Sequence, residues 1–413
     1  VDEKGHNVEV ASIAYFDFDG MVDVRVISNK ERVNSARVRP LSYKITPDCV
    51  GDTVTFSLSR PRNLSVEVNG DIFHNLHLFA NPIDKFRPSD KEIQRALKKK
   101  KGSNLIYFGP GVHNLPNDTL FVPSGTTVYI DGGARVYGNI FTEGAHDVNI
   151  FGRGEVHPDG RGAGVWVRRS KNVRIDGIVV SQLPIGQCDS VELTNVKSIS
   201  YYGWGDGMDV FSSSNVILDG VFCRNSDDCA AVYASTQGFK GGSNNVLVKN
   251  ATLWADVAHP INIGGHGDPN GMDTVQNVTF RNIDILDQAE KQIDYQGCLA
   301  INPGDNTLVR NITFENIRIE DFRNGQLVNF RISFNPKYCV STGRGIQNVL
   351  VKDVTYNGSG ENLSIIAGYD ENHKISGIRF VNLVVNGRKI TDDMPGKPKW
   401  YKTGDMAGIF VGE

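Results

Sequence analysis

Asn277-Val278-Thr279-Phe280-Arg281-Asn282-Ile283 carries the pattern that decides how this chain folds. An asparagine opens a run in which apolar and polar residues alternate, and a second turn residue interrupts it before an apolar residue returns. Period-two alternation is the mark of a strand with one face buried. Val216-Ile217-Leu218-Asp219-Gly220-Val221 and Ile312-Thr313-Phe314-Glu315-Asn316-Ile317 repeat the figure. Asn followed by Val or Ile recurs at 172/173, 195/196, 215/216, 245/246, 277/278, 311/312 and 348/349, with spacings of 23, 20, 30, 32, 34 and 37 by subtraction. Imperfect periods of this size with no helical pattern between them predict a parallel β-helix. Leucine-rich and ankyrin arrays carry helical spacing or signatures of their own, and neither is present. The inward Val, Ile and Phe of each coil are expected to stack on those of the next, with strands about 4.8 Å apart along the axis. The repeated asparagines are read as turn residues stacked coil on coil.

Working outward, this repeat begins near residue 104 and the β-helix is assigned to residues 104–413. Residues 7–82 read differently. Short alternating segments such as Val8-Glu9-Val10, Val22-Asp23-Val24-Arg25-Val26 and Leu64-Ser65-Val66-Glu67-Val68 are punctuated by Asp19-Gly20, Pro47-Asp48 and Asn69-Gly70. Frequent turns between short strands suggest a small β-sandwich over residues 1–82, and Asn69-Gly70 suits a tight hairpin. Residues 83–103 form a linker with one helix. Ser89-Asp90-Lys91-Glu92 fits a capping box, Ile93 and Leu97 give an apolar edge, and Lys98 to Lys101 suit a solvated helix C-terminus better than a polyanion site. The helix is expected to cover the open end of the solenoid, where edge backbone would otherwise be unpaired. The fold class is therefore all-β, a parallel β-helix preceded by a small sandwich.

The 413 residues carry a net charge of −3, which excludes a global basic field for nucleic acid. The 44 glycines suit a chain with many tight turns. No apolar run approaches the roughly 20 residues of a membrane-spanning helix, so no membrane insertion is expected. The chain opens Val1-Asp2-Glu3-Lys4, which fits a processed, secreted or periplasmic protein and equally a trimmed chain. Cys49, Cys188, Cys223, Cys229, Cys298 and Cys339 form no Cys-x-x-Cys pair, and they are too sparse for a disulfide framework. A local bridge between Cys223 and Cys229 stays open.

The candidate chemistry lies in three short segments: Gly205-Asp206-Gly207-Met208-Asp209, Asn225-Ser226-Asp227-Asp228-Cys229 and Gly265-His266-Gly267. Asp206 and Asp227 are 21 residues apart, close to one short coil, so a solenoid would place them on one face. Paired carboxylates, one protonated and one ionised, are what glycosidic cleavage requires. Neighbouring residues of a regular strand point to opposite faces, so Asp227 and Asp228 act together only where the chain bends. Crowding raises at least one carboxyl pKa. Asp209 is a turn residue or a substrate contact. Trp166, Tyr201, Tyr202, Trp204, Tyr233 and Trp254 are candidate sugar platforms or core residues, with Trp204 and Tyr233 nearest the acids. Taken singly, each aspartate also suits an ordinary turn.

These motifs resemble glycoside hydrolase family 28, the pectinases. Trp204-Gly205-Asp206-Gly207-Met208-Asp209, then Asn225-Ser226-Asp227-Asp228-Cys229-Ala230, then Gly265-His266-Gly267 stand in the order of that family's motifs. Val122-Pro123-Ser124-Gly125 through Gly132-Gly133-Ala134-Arg135-Val136-Tyr137-Gly138 is similar to its opening coils. The resemblance implies a right-handed solenoid and an inverting reaction without metal or other cofactor. It also implies Asp227 as general acid, Asp206 and Asp228 as holders of the water, and His266 as support for the acid. Arg331-Ile332-Ser333 stands where the family carries Arg-Ile-Lys, which leaves Arg331 as a substrate-binding candidate and the lysine missing. A preceding sandwich and Trp254-Ala255-Asp256-Val257-Ala258-His259-Pro260 are also similar to glycoside hydrolase family 49, the dextranases and isopullulanases. The expected partner is thus a polysaccharide or oligosaccharide, galacturonan-like or an α-glucan, with oligomeric state and endo or exo cutting left open. A non-catalytic carbohydrate-binding solenoid and a polysaccharide lyase are the rivals, and a lyase lacks its usual Lys or Arg base near Asp227.

Overall fold

The computed structural model describes residues 12–98, 102–158, 160–292, 295–332, 334–391, 401–403 and 409–411. The strand expected at Val8-Glu9-Val10 and lysines 99–101 lie outside these residues. The chain forms two compact units, Val1–Arg87 and Pro88–Glu413.

In the first unit, strands Ser12–Phe18, Asp71–Pro82, Arg62–Val68 and Ala36–Arg39 make one sheet, in that order. Val22–Ile27, Thr53–Leu58 and Asp48–Val50 make a second, antiparallel one. Alternation puts Val24, Val54 and Phe56 of one sheet and Leu64, Val66 and Leu78 of the other into a single core. Asn69 and Gly70 turn the hairpin between Arg62–Val68 and Asp71–Pro82, with φ of 54° and 81°.

The second unit opens on the helix Asp90–Leu97. Ser89 caps it: its hydroxyl accepts from Glu92 N while the Glu92 carboxylate accepts from Ser89 N at 2.8 Å. The helix packs against Leu105–Phe108, the strand that pairs with Thr127–Ile130 at the start of the solenoid. Ile93 is buried, whereas Leu97 is exposed, so one turn of the expected edge does the packing.

From there the chain winds as a right-handed parallel β-helix, each strand pairing in register with its counterpart one coil on. Val148, Val173, Val191, Val216, Val246, Val278, Ile312, Val349 and Ile378 are successive partners in one continuous inward column. All are buried, and each such side chain contributes about 1.5–3 kcal/mol by leaving water. Phe280 and Phe314 stack beside the column with ring centroids 5.8 Å apart.

The repeated asparagines all adopt positive φ, from 53° to 59°. They belong to two ladders. In the first, Asn215 donates to Asp189 and Asn245 to Asn215, both at 2.7 Å, and Asn311 donates to Asn277 at 3.2 Å. In the second, Asn250 donates to Asp219 and Asn282 to Asn250, both at 2.7 Å. Asn195 belongs beside the second ladder, its N–H bonding the Asp219 carbonyl. Ser190, also at positive φ, takes the first-ladder place between Asn172 and Asn215. The regular-looking series of spacings therefore mixed two turns.

All six cysteines are free. Cys223 and Cys229 do not bridge, because both occupy the apolar core as small packed side chains. Burial pushes the Cys188 thiol up to about 11.

Asn277→Ala is expected to lower unfolding free energy by about 2–3 kcal/mol in urea melts. It removes two ladder bonds at about 0.5–1.5 kcal/mol each and leaves an alanine in a left-handed turn that Asn tolerates through its local hydrogen bonding. Asn277→Gly, free of the backbone strain, should lose roughly half as much.

Candidate active site

Five consecutive parallel strands form the face that carries the acids: β1 (Met208–Phe211), β2 (Ala230–Tyr233), β3 (Ile261–Ile263), β4 (Leu299–Ile301) and β5 (Val328–Arg331). Their register aligns Met208, Ala230, Ile261, Leu299 and Val328 toward the core. The next position points outward and reads Asp209, Ala231, Asn262, Ala300, Asn329. Small alanines between polar residues leave a trough along the solenoid axis.

The acids sit just before these strands. Counting back two residues from Met208, Ala230 and Ile261 puts Asp206, Asp228 and His259 at one register position. Gly207 N–H bonds the Asp228 carbonyl at 2.7 Å, and Cys229 N–H bonds the His259 carbonyl at 2.9 Å. Asp206 is therefore level with Asp228, 22 residues on, and Asp227 lies one residue earlier. The chain bends at Ser226 and Asp227, and the Asp227 carboxylate accepts Asp228 N–H at 3.0 Å. That bend lets two successive aspartates face one trough.

Asp228 is buried and held by four donors. Tyr233 hydroxyl and Asn262 amide reach Oδ2 at 2.6 and 2.8 Å, and His259 reaches Oδ1 through its backbone N–H at 3.0 Å and through Nδ1 at 2.7 Å. Burial pushes this carboxyl up, but the pull and hydrogen bond of His259, with Asn262 and Tyr233, bring it below the usual value. Its neighbours move oppositely. Burial, then the charges of Asp206 and Asp228 and more weakly Glu290, hold Asp227 well above the usual carboxylate range. Burial and the charges of Asp209 and Asp228 do the same to Asp206. Asp209 is pushed up to about 8, chiefly by burial, while hydrogen-bonding Asp206. The site thus holds one ionised carboxylate among carboxyls that favour their protons.

Asp206, Asp209, Asp227 and Asp228 are brought together. Asp209 lies beneath Asp206, with Oδ1 buried and unpartnered. Trp204 is half exposed beside them, at a φ of 63°. Tyr233 is not a free sugar platform: it is buried, stacks on Phe211 and commits its hydroxyl to Asp228. Phe239, from the insertion after β2, stacks on the other side of Phe211. Arg331 ends β5, three strand spacings or about 14 Å along the axis from β2, and takes no place in the acid cluster.

His266 does not touch an acid. It follows β3, at the far edge of the face, with its ring edge-on to Tyr233 at 5.0 Å and hydrogen-bonded to the Tyr338 backbone. Burial holds its pKa below the usual value. The histidine that meets a carboxylate is His259. Its signal was register: it precedes β3 as Asp228 precedes β2, whereas the glycine-flanked tripeptide drew attention seven residues on. Tyr295, edge-on to His259 at 4.5 Å, and Tyr338, stacked on Tyr295 at 5.1 Å, were also missed. A lysine does approach: Lys337 feels the charges of Glu290 and Asp227, and its ammonium lies 5.6 Å from the Trp204 ring.

Among the described residues, no three His, Cys, Asp or Glu side chains are set to hold a metal ion. A larger depression, about 540 Å³, lies elsewhere over Asn245, Asn277, Thr313 and Arg379, on the asparagine-ladder face, and contains no acid cluster.

Fold and site together describe a solenoid of the kind that presents clustered aspartates in an open trough. The family model for Glycosyl hydrolases family 28 matches residues 165–394, over half of the chain, and the chain belongs to that family. A polygalacturonase of Juniperus ashei is 26% identical over 295 residues, 63% of this chain and 54% of that protein. The chain spans about half the length of the curated relatives it matches. Among solved structures, Dex49A from Penicillium minioluteum superposes with a TM-score of 0.66 at 14% identity, over 96% of this chain and 83% of that one. The family 28 exopolygalacturonase of Yersinia enterocolitica does so with 0.57 at 12% identity, over 98% of each. These two likenesses concern the fold.

Asp209→Asn is expected to raise the melting temperature at pH 7. A carboxyl whose folded pKa exceeds its unfolded value stabilises fully at low pH, and loses that stability as pH rises from the ordinary carboxylate value toward about 8. The gain over the parent, roughly 2 °C per kcal/mol relieved, should shrink to nothing near pH 3 in calorimetric scans.

Proposed function

We propose that this protein is a glycoside hydrolase that cleaves a polysaccharide by single displacement with inversion, and that galacturonan-type polymers are its first candidate substrates. One observation carries the reading: Asp228, ionised by four hydrogen-bond donors, stands beside Asp227, which keeps its proton. Two carboxyl groups in opposite protonation states are the acid and base of glycosidic hydrolysis. Asp227 donates its proton to the departing glycosidic oxygen as that bond to the anomeric carbon breaks. A water held between Asp206 and Asp228 attacks the same carbon from the opposite face and gives its proton to this pair. Asp209 positions Asp206 through their shared hydrogen bond, and His259 positions Asp228.

The family and the polygalacturonase relatives favour a galacturonan, and Lys337 near Trp204 supplies a positive group beside the trough. An α-glucan is the second substrate class, favoured by the likeness to Dex49A. A polymer of either kind meets its enzyme outside the cytoplasm, which supports a secreted or periplasmic location.

Asp227→Asn is expected to lower kcat by about 10³-fold, within the range of general acid catalysis, with substrate binding nearly unchanged. A variant that cleaves at the parent rate would refute the acid assignment. Proton NMR of the first-formed anomer should show inversion, and unsaturated products would indicate a lyase instead.

Activity against pH should be bell-shaped. It falls at low pH as Asp228 takes up a proton, at a value below the usual carboxylate pKa, and at high pH as Asp227 loses its own, at a value well above it. Glu290→Gln removes a negative charge that raises Asp227. The alkaline limb of kcat/KM should then move to lower pH with the acid limb in place.

A further inference from the structure

We infer that residues 334–342 close the trough on the side of the later coils, so that the enzyme takes its polymer by a chain end. This rests on the hydrolase reading above and adds the mode of attack.

The segment leaves the C-terminal end of β5, the same edge of the face from which Gly265, His266 and Pro303 extend. It is tied down along that edge. Cys339 Sγ meets the Gly265 carbonyl at 3.3 Å, and the Asp305 carboxylate accepts Val340 and Ser341 N–H at 2.8 and 3.1 Å. Gly304 and Thr342 form a β-bridge, and His266 bonds the Tyr338 backbone.

Its tip does not stay on that edge. The Tyr338 ring stacks on Tyr295 at 5.1 Å and meets Trp204 edge-on at 6.3 Å. Tyr295 precedes β4 and Trp204 precedes β1, so both stand on the opposite, N-terminal edge of the face. A segment rooted at one edge with its side chains seated on the other must pass over the strands between. It also runs backward along the axis, from the coil of β5 to that of β1. Lys337, its Nζ 4.8 Å from the Tyr338 ring and 5.6 Å from Trp204, completes the span.

The space beneath is small. The pocket bounded by Tyr233, Asn262, His266, Tyr295, Asn302 and Tyr338 holds about 50 Å³. That is room for a few waters, each of which needs about 10–15 Å³ of such space, and it falls far short of the roughly 300 Å³ of the smallest ordinary ligand pockets. On the earlier-coil side, Tyr201 and Trp204 are 58% and 53% exposed, aromatic surface of the kind that stacks on sugar. The segment's tip reaches the coil of Asp206 and its root lies at the later coils, so the trough is roofed from the acids onward and open toward the earlier coils. A polymer that enters from the open end can place only its terminal unit or units past the cleavage point.

The test compares bond cleavage with loss of viscosity on polygalacturonate, rhamnogalacturonan and dextran, using the full chain. On whichever polymer yields reducing ends, the parent protein should release one short product from the first minutes while viscosity falls slowly. Tyr338→Ala, and a variant with residues 335–338 replaced by Gly-Gly, should lower viscosity several-fold faster per bond cut and release a ladder of longer fragments. The single substitution keeps the test valid should the shortened segment misfold. A parent protein that yields a ladder and thins the polymer at once would overturn the inference and leave hydrolysis standing, as would variants that keep the parent's product pattern. No reducing ends from any of the three polymers would overturn the hydrolase reading itself, and this inference with it.

Discussion

Parallel pairing in register is the constraint on which the molecule depends. Once Met208, Ala230 and Ile261 are hydrogen-bonded neighbours, the residues two places before each are neighbours too. Asp206, Asp228 and His259 are assembled by that rule, from stretches of chain that share no local contact. A slip of one residue in β2 would turn Asp228 and Ala231 to the other face and expose Ala230 and Val232. The aliphatic column from Val148 to Ile378 prevents the slip, since every coil adds one inward residue to it. The core that holds the fold together and the register that gathers the acids are the same structure.

Why the sequence was legible in some places follows from this. The asparagines showed because a left-handed turn admits few residue types, and Asn is the side chain that tolerates it while bonding the coil above. What did not show was which turn each belonged to, since Asn195 and Asn215 look alike and Ser190 carries no signature. The acids were legible as a group, for Asp-Asp followed by Cys and an apolar strand has few uses. Their pairing was not: with coils of unequal length, a spacing of 21 or 22 residues cannot say which aspartate is level with Asp206. His259 was overlooked for a related reason. It lacks flanking glycines, and its importance comes from the strand that follows it. Tyr233 shows the limit of reasoning from proximity in sequence, since being near the acids meant being buried among them.

The site is an expensive arrangement in a low-dielectric setting. Four carboxyl groups share it, and burial alone would neutralise all of them. Four donors on Asp228 keep one ionised, and its charge then helps to hold protons on Asp206 and Asp227. The opposite protonation states are therefore coupled: the better Asp228 is solvated by His259, Asn262 and Tyr233, the firmer the protonation of its neighbours. The unpartnered Asp209 Oδ1, His259 Nε2 and Asn262 Oδ1 carry a desolvation cost that this arrangement leaves uncompensated.

Trp204 brings the two halves of the site together. A bulky side chain at a φ of 63° occupies a conformation that costs about 1–2 kcal/mol outside glycine, so something must hold it there. Two contacts do. Gln182 donates to its carbonyl at 2.8 Å from the preceding coil, and Tyr338 and Lys337 lie against its ring from a coil far along the chain. The strained turn aims the indole over the trough directly before Asp206, and the roofing segment uses that same indole as its far abutment. Substitution of Trp204 by glycine would release both the local strain and the contact that spans the trough. An aromatic residue in an unfavourable backbone state at this point in the chain is thus explained by what it joins.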